Sequence, residues 1–299
     1  MSQINAGQID RSTYLGGSDV AAILGLSPWR TPLDAYLDKV EGSRPIDEAK
    51  AKIFRRGARM EPYILDLLTE EHGIQIINRG QRYRDKTHGF IAAEIDAEAA
   101  TGENIEAKSA NQFSAKNWGA EFTDEIPVYY TAQAMHGMMV REAPATIFPV
   151  LIGSDDFRVY RVERDDETIA AIRLKEIEFW DRVQRRDPPQ PSTVSDIERL
   201  FSRDSGKVIQ ADDEIVAVFN ALKALKSKAK MLDSEIDDAE TQIKLFLCEA
   251  AILKFGAQQL CSWRSQEATR FDIEAFRTKH PAIAEKFTNT STSRVLRLK

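Results

Sequence analysis

The sequence predicts an α/β protein that carries a long-helix appendage towards its C-terminal side. Three features point to this. Apolar residues recur at helical and strand spacings in turn through about residue 183. A proline-rich break follows, in which Pro188, Pro189 and Pro191 cannot continue a helix. Beyond it runs a heptad pattern that no glycine or proline interrupts.

Element by element, 18–24 reads as the start of a helix, with Ser18 as its N-cap. Residues 31–40 are helical, with Pro32 tolerated in the first turn. Residues 49–72 form a long helix that Gly73 ends. Strands are expected at 74–83, 89–97 and 104–109, then a helix at 127–140, strands at 146–152 and 157–162, and a helix at 166–183. After the break, residues from Ile215 to Leu253 fall on alternating steps of three and four. That predicts a helix of roughly 55–60 Å, packed on its own domain or paired with another segment or subunit. Short strands are expected at 258–264 and 293–299. The expected domains are 1–186, a linker at 187–192, and a helical region with a basic tail at 193–299.

Composition narrows the classes. With 42% hydrophobic and 29% charged residues the chain reads as an ordinary globular protein. No apolar run approaches the roughly 20 residues that span a bilayer, and residues 1–10 lack a signal-peptide core, so a cytoplasmic location is expected. Cys248 and Cys261 are too few for a disulfide framework or a four-cysteine metal site, and both read as reduced packing residues. The net charge of −6 argues against a nucleic-acid partner only weakly. Its distribution is uneven: Lys50, Lys52, Arg55, Arg56 and Arg59 cluster, and eight Lys/Arg face four Asp/Glu from Arg264 to Lys299. The cluster suits a phosphate track or a plain solvated helix face.

The chemistry concentrates in one hairpin. Along 90–98, Ile91, Ala93, Ile95 and Ala97 alternate with Glu94, Asp96 and Glu98. In the following strand Glu106 and Lys108 share a face. A turn centred on Thr101 sets Asp96 opposite Glu106, and opposed residues lie about 4.5–5.5 Å apart. Two carboxylates that close repel unless a cation lies between them. Hard oxygen ligands suit Mg²⁺, with Mn²⁺ as a substitute, and the Ala107 carbonyl is positioned to add a ligand. Lys108 supplies a cation to orient water and to offset charge on a phosphorane. Metal, water and cation together describe phosphodiester hydrolysis. The bland reading of the same pattern is a solvated face on an edge hairpin.

Context favours the chemical reading. The Asp96…Glu106-Ala107-Lys108 spacing resembles the PD-(D/E)XK nuclease superfamily, with Ile95 where a proline often precedes the first acid. Three further segments resemble one branch, the λ exonuclease and YqaJ-like viral recombinase family. They are Arg11-Ser12-Thr13-Tyr14-Leu15-Gly16-Gly17-Ser18-Asp19 with 21–25, Arg56-Gly57 through Glu61-Pro62, and Tyr130-Thr131-Ala132-Gln133. The match runs over roughly 11–162.

The resemblance implies a restriction-endonuclease-like core with a mixed sheet flanked by helices. It implies metal ligation by Asp96 and Glu106, catalysis by Lys108, an additional acid at Glu61, and Gln133 beside the scissile bond. Arg11 and Ser18 match residues that hold a 5′-phosphate, which agrees with a guanidinium fork and a helix start. It further implies 5′→3′ digestion of double-stranded DNA ends by a homotrimer working with a single-strand annealing protein. In the loop that follows, Arg30 is expected to contact DNA and Trp29 to pack. His72, His88, His136 and His280 lack zinc-ligand spacing and read as packing or surface residues. Two alternatives stay open: an endonuclease or single-strand nuclease on the same core, and a non-catalytic DNA-binding scaffold.

Overall fold

The computed structural model describes residues 10–42, 47–290 and 292–298. The N-terminal segment read above as lacking a signal-peptide core therefore lies, up to residue 9, outside the described residues. The chain divides into two compact units, one up to Leu200 and one from Phe201.

The first unit begins with a 3-10 turn, Arg11–Thr13. Helices α1 (Gly17–Ile23), α2 (Pro32–Val40) and α3 (Glu48–His72) follow. Strands β1 (Ile76–Arg84), β2 (Ala92–Ala99), β3 (Asn104–Ile105) and β4 (Lys108–Ala110) come next. Helix α4 (Val128–Arg141), strands β5 (Ala145–Ile152) and β6 (Asp156–Glu163), and helices α5 (Asp166–Arg185) and α6 (Val194–Leu200) complete it. Helix α6 is fastened to α2: the Thr31 hydroxyl donates to Asp196 at 2.8 Å, and Arg199 pairs with Asp34.

The sheet is mixed, in the order β1-β2-β3-β5-β4, with β6 pairing β5. Strands β1 and β2 are antiparallel, as are β2 and β3, whose register sets Ala97 against Ile105. The turn between β2 and β3 closes through Gly102, whose N–H donates to the Ala99 carbonyl at 3.0 Å with φ +101°. Only glycine adopts that angle without strain.

The single strand expected over 104–109 is two. Both halves pair with β5 in parallel, at Asn104↔Thr146 and Lys108↔Val150. The break falls at Glu106–Ala107, where the Asp96 carboxylate takes the Ala107 N–H at 3.0 Å. Pro149 of β5 lies opposite that break. A proline has no N–H to give a ladder, so a central strand tolerates it only where pairing is interrupted.

The apolar row of β2 also differs from strict alternation. Ile91, Ala93 and Ile95 pack in a cluster with Ala134, Met135 and Met138 of α4. Ala97 and Ala99 instead pack with Leu65 and Leu68 of α3. The partner helix changes at Asp96, and Glu98, expected on the polar face, is buried with Tyr83, Asn78 and Arg141 as donors. Ser18 is another difference. Gly16 is the N-cap of α1, and Ser18 lies one residue inside the helix.

The second unit holds α7 (Asp213–Leu247), the hairpin β7 (Ile252–Phe255) and β8 (Gln258–Ser262), and the short helices α8 (Ile273–Lys279) and α9 (Pro281–Lys286). Helix α7 has 35 residues, about 52 Å. It stops short of the last two heptad positions because Cys248, at φ 47° and ψ −111°, leaves helical space, and Leu253 joins the hairpin. Residues 293–298 form no strand, and Lys299 lies outside the described residues. Cys248 is exposed and Cys261 half-buried, so neither is a core residue. Among the described residues no helix is long and apolar enough to cross a membrane.

One buried polar contact joins three elements of the first unit. His136 of α4 is fully buried, with Nδ1 2.6 Å from a Glu176 oxygen of α5 and Nε2 2.9 Å from the Ala92 carbonyl of β2. Both partners accept, so the ring binds best as a doubly protonated imidazolium. Burial opposes that charge, but Glu176 outweighs it and raises the His136 pKa above its ordinary value. The sign follows by linkage. A raised folded pKa contributes stability in full below the unfolded value of about 6.5, and that contribution is lost as pH rises through the folded value. His136→Ala, which leaves Glu176 buried without its partner, is expected to cost about 3–5 kcal/mol in urea denaturation at pH 6. The difference from wild type should shrink as pH rises. A difference that does not change with pH would contradict the charged pair.

Candidate active site

The β2–β3 register carries Asp96 towards Glu106, as the sequence pattern expected. The Glu106 N–H donates to the Ile147 carbonyl of β5 at 2.9 Å, which anchors the residue even where the strand breaks. Its side chain is buried, and oxygen Oε2 accepts from Lys108 Nζ at 3.1 Å and from Gln133 Nε2 at 2.7 Å. Gln133 reaches it from α4. Glu61, on α3 and half-buried, is near enough to feel the charges of Asp96 and Lys108. Both flanking helices therefore send a polar group towards the same point on the sheet.

The electrostatics of this point are unusual. Burial and the neighbouring Asp96 carboxylate push Glu106 up to about 8. Asp96 is raised chiefly by burial, although Lys108 and the Ala107 N–H work against the shift. Glu61 is raised by burial and by Asp96. Burial opposes the Lys108 ammonium, but Glu106 and Asp96 outweigh it and hold it above its usual range. The Lys108 Nζ also lies 5.1 Å from the centre of the Tyr130 ring.

A buried and a half-buried carboxylate, both with raised proton affinity, are a site that a divalent cation would satisfy better than one lysine does. Among the described residues no group of three or more His, Cys, Asp or Glu side chains forms a ready cage. A hard cation can be held by one or two carboxylates with water or phosphate oxygens as its other ligands. Asp96 and Glu106 fit that description.

Beside the carboxylates lies a pocket of about 150 Å³, lined by Arg11, Tyr14, Gly16, Gly17, Ser18, Ala92, Glu94, Asp96 and Gln133. Residues 14–16 are pinned to the start of β2, since Leu15 N–H donates to the Phe90 carbonyl and Ala92 N–H to the Leu15 carbonyl. Gly17 lies close against α4. A Cβ there would sit 3.2 Å from Gln133 Cγ and 3.6 Å from the His136 ring. Arg11 Nη2 donates to the Ser18 hydroxyl at 2.6 Å, so these two expected site residues are in contact. The pocket thus joins Arg11, Ser18, Gln133 and Asp96, while Glu106 and Lys108 adjoin it through Gln133.

Other expected residues go elsewhere. Arg30 does not line the pocket: its guanidinium donates to Asp19 at 3.1 Å and to Asp38 at 2.7 Å. Trp29, expected to pack, is 68% exposed and meets Tyr129 edge-on at 4.8 Å. Lys50, Lys52, Arg55, Arg56 and Arg59 lie on the exposed first half of α3. His72 packs near Phe122 and Phe157, His88 near Phe90, and His280 near Phe276.

The sequence reading missed several residues. Tyr14 lies inside the quoted N-terminal segment and lines the pocket, and its hydroxyl donates to Glu94 at 3.2 Å. Glu94 was visible as the polar neighbour of Asp96 but was given no part. Arg82 of β1 lies over the Tyr14 ring at 4.1 Å and pairs with Glu94 at 3.6 Å. The pocket wall also depends on a buried ion pair. Asp19 accepts from Lys39 at 2.7 Å, from Arg30, and from the Gly16 N–H at 3.1 Å. Lys39 also donates to the Arg11 carbonyl at 2.8 Å. Burial would raise Asp19, but Lys39 and Arg30 overcome it and keep the carboxyl below its usual range. Asp19→Ala, which strands Lys39, is expected to cost about 3–5 kcal/mol in urea denaturation. A cost under about 1 kcal/mol would show that the wall stands without it.

The chain is similar to several known proteins. Residues 8–144 match the YqaJ-like viral recombinase domain. The Bacillus subtilis (strain 168) protein YqaJ is 29% identical over 288 residues, covering 93% of this chain and 88% of that protein. Among solved structures, an alkaline exonuclease from Laribacter hongkongensis is 19% identical and aligns with a TM-score of 0.49, over 59% of this chain and 91% of its own. A phage-related exonuclease from Haemophilus somnus 129PT is 14% identical with a TM-score of 0.45, over 58% of this chain and 96% of its own. Residues 8–144, the stretch similar to the YqaJ-like viral recombinase domain, include the Asp96–Glu106–Lys108 cluster and the Arg11–Ser18 pocket.

Proposed function

We propose that this protein is a metal-dependent DNA exonuclease that degrades one strand of a duplex from its 5′ end and leaves a 3′ single-stranded overhang. The observation that carries this reading is the adjacency of two features. A cluster of Asp96, Lys108 and the buried Glu106 adjoins a pocket where a guanidinium and a hydroxyl are in contact. The exonuclease activities of the Laribacter and Haemophilus proteins are in keeping with it.

Each residue has a definite task in this reading. Asp96 and Glu106 would hold Mg²⁺, or Mn²⁺ in its place, with the Ala107 carbonyl as a further ligand. The bound metal supplies Lewis acidity at the phosphate and a water of lowered pKa. Lys108 keeps its proton, orients the attacking water and offsets charge that builds on the phosphate oxygens. Gln133 fixes the Glu106 carboxylate by donating to it. Glu61 adds negative charge on the α3 side and accepts a proton readily, since its pKa is raised. Arg11 and Ser18 grip the terminal 5′-phosphate and so set which end is attacked. Arg30 serves by holding Asp19, and through it the pocket wall.

The pocket favours an end-binding enzyme over an endonuclease, because the paired Arg11 and Ser18 offer a receptor for one phosphate beside the carboxylates. The overhang would pass to a single-strand annealing protein. By resemblance, the enzyme works as a homotrimer around duplex DNA in the cytoplasm of a phage-bearing cell.

Mutation separates these roles. Lys108→Ala should lower hydrolysis of linear duplex by about 10²–10³-fold or more while circular dichroism and DNA binding stay near wild type. Unfolding of that variant would contradict the catalytic role. Arg11→Ala should bring the rate ratio of 5′-phosphorylated to unphosphorylated ends towards one, whereas an equal loss on both would remove Arg11 from end recognition. Mg²⁺ should raise the melting temperature of the wild type, because binding to the folded state alone stabilises it. Asp96→Asn and Glu106→Gln should each lose that rise, and a rise retained in both would rule out the assigned ligands.

A further inference from the structure

From Phe201 onward, Leu247 is the one buried residue among those described. The second unit therefore has almost no core of its own. Its longest element, α7, presents its heptad row to solvent: Ile215 is 57% exposed, Leu225 62% and Phe246 77%. A row kept at steps of three and four from Ile215 to Phe246, in a helix of 35 residues, is a seam for another helix of similar length. Helices α8 and α9 have seven and six residues and are too short to cover it.

We propose that α7 pairs with α7 of a second copy of this chain, antiparallel, about a two-fold axis passing between Lys230 and Met231. This register matches every heptad position with a heptad position. Ile215 meets the partner's Phe246, Leu225 meets the partner's Ile236, and Ala229 meets the partner's Leu232. The arrangement is isologous, so each contact occurs twice.

The flanking charges select this occupant and this direction. Lys226 and Lys228 border the seam in the first half of α7, and Asp233 and Glu235 border it in the second. Antiparallel pairing sets Lys226 beside the partner's Asp233 and Lys228 beside the partner's Glu235. The two-fold axis doubles both attractions. Parallel pairing keeps one attraction, Lys228 with the partner's Asp233, and adds repulsion between Glu235 and the partner's Glu240. Charges beside a seam set partner and orientation in this way. The pairing lies outside the catalytic unit, so it links copies whatever association the first unit makes.

Cross-linking of the full-length chain tests it, in a background where Cys248 and Cys261 are replaced by serine. Leu225→Cys and Ile236→Cys are made separately, one with a longer tag. Oxidation of the mixture should give a disulfide-linked hybrid, at least about tenfold more abundant than the dimer from either variant alone. Self-linking of Leu225→Cys as strong as the hybrid would show parallel pairing and overturn the proposal, as would the absence of any hybrid. Sedimentation supplies a second reading. The double variant K226E/K228E should weaken self-association about tenfold or more, since it turns four surface attractions into repulsions. Mixing it with D233K/E235K should restore association. Association unmoved by the first variant, or not restored by the mixture, would also overturn the proposal.

Discussion

Placing Asp96 on β2 and Glu106 at the strand break beside it commits the first unit to holding two carboxylates close together, one buried and one half-buried, and much of its architecture answers that commitment. Burial and Asp96 push Glu106 up to about 8, so the pair is unstable in isolation. Three groups relieve it. Lys108 brings a positive charge from β4, Gln133 an amide from α4, and the Ala107 N–H a hydrogen bond to Asp96. That last bond uses a donor the sheet would otherwise claim. The strand breaks there, and Pro149, which has no N–H, lies opposite in β5. Pro149 stands in a strand that is buried along its whole length.

The pocket wall rests on a second buried charge arrangement. Asp19 lies one residue after Ser18 and turns inward to meet Lys39, Arg30 and the Gly16 N–H. Lys39 in turn fixes the Arg11 carbonyl. A surface loop bearing Arg11 would lose much of its binding strength to ordering, and this network meets that cost on folding. Glu94 adds a carboxylate to the pocket, and Arg82, over the Tyr14 ring, pairs with it.

Most of the hairpin chemistry was legible because strand alternation and turn position fix which side chains are neighbours. Spacing set Asp96, Glu106 and Lys108 as neighbours, and the register of Ala97 with Ile105 agrees with the turn at Thr101; their reading as a nuclease site came from resemblance. The relevance of Glu61, Gln133, Arg11 and Ser18 came from resemblance, since nothing local marks a helical amide or acid as facing a distant strand. The use of Arg30 was illegible for the same reason: its partners, Asp19 and Asp38, lie on two separate helices. Periodicity also failed to show the change of packing partner along β2. An alternating pattern reports only that a side chain is apolar, and alanines fit against either helix. The heptad overran α7 because Ala250 and Leu253 satisfy its spacing while Cys248 ends the backbone geometry that supports it.

The two units differ in how they achieve burial. The first encloses its apolar side chains around the sheet, whereas the second leaves a helix of 35 residues with an exposed apolar row. The central claim concerns the first, that Asp96, Glu106 and Lys108 cut DNA from an end held by Arg11 and Ser18. A time course in Mg²⁺ tests it most directly, using linear duplex labelled separately at its 5′ and 3′ ends beside a covalently closed circle. The account predicts that the 5′ label is released first while the 3′ label persists and the circle stays intact. Cutting of the circle, or early release of the 3′ label, would contradict it.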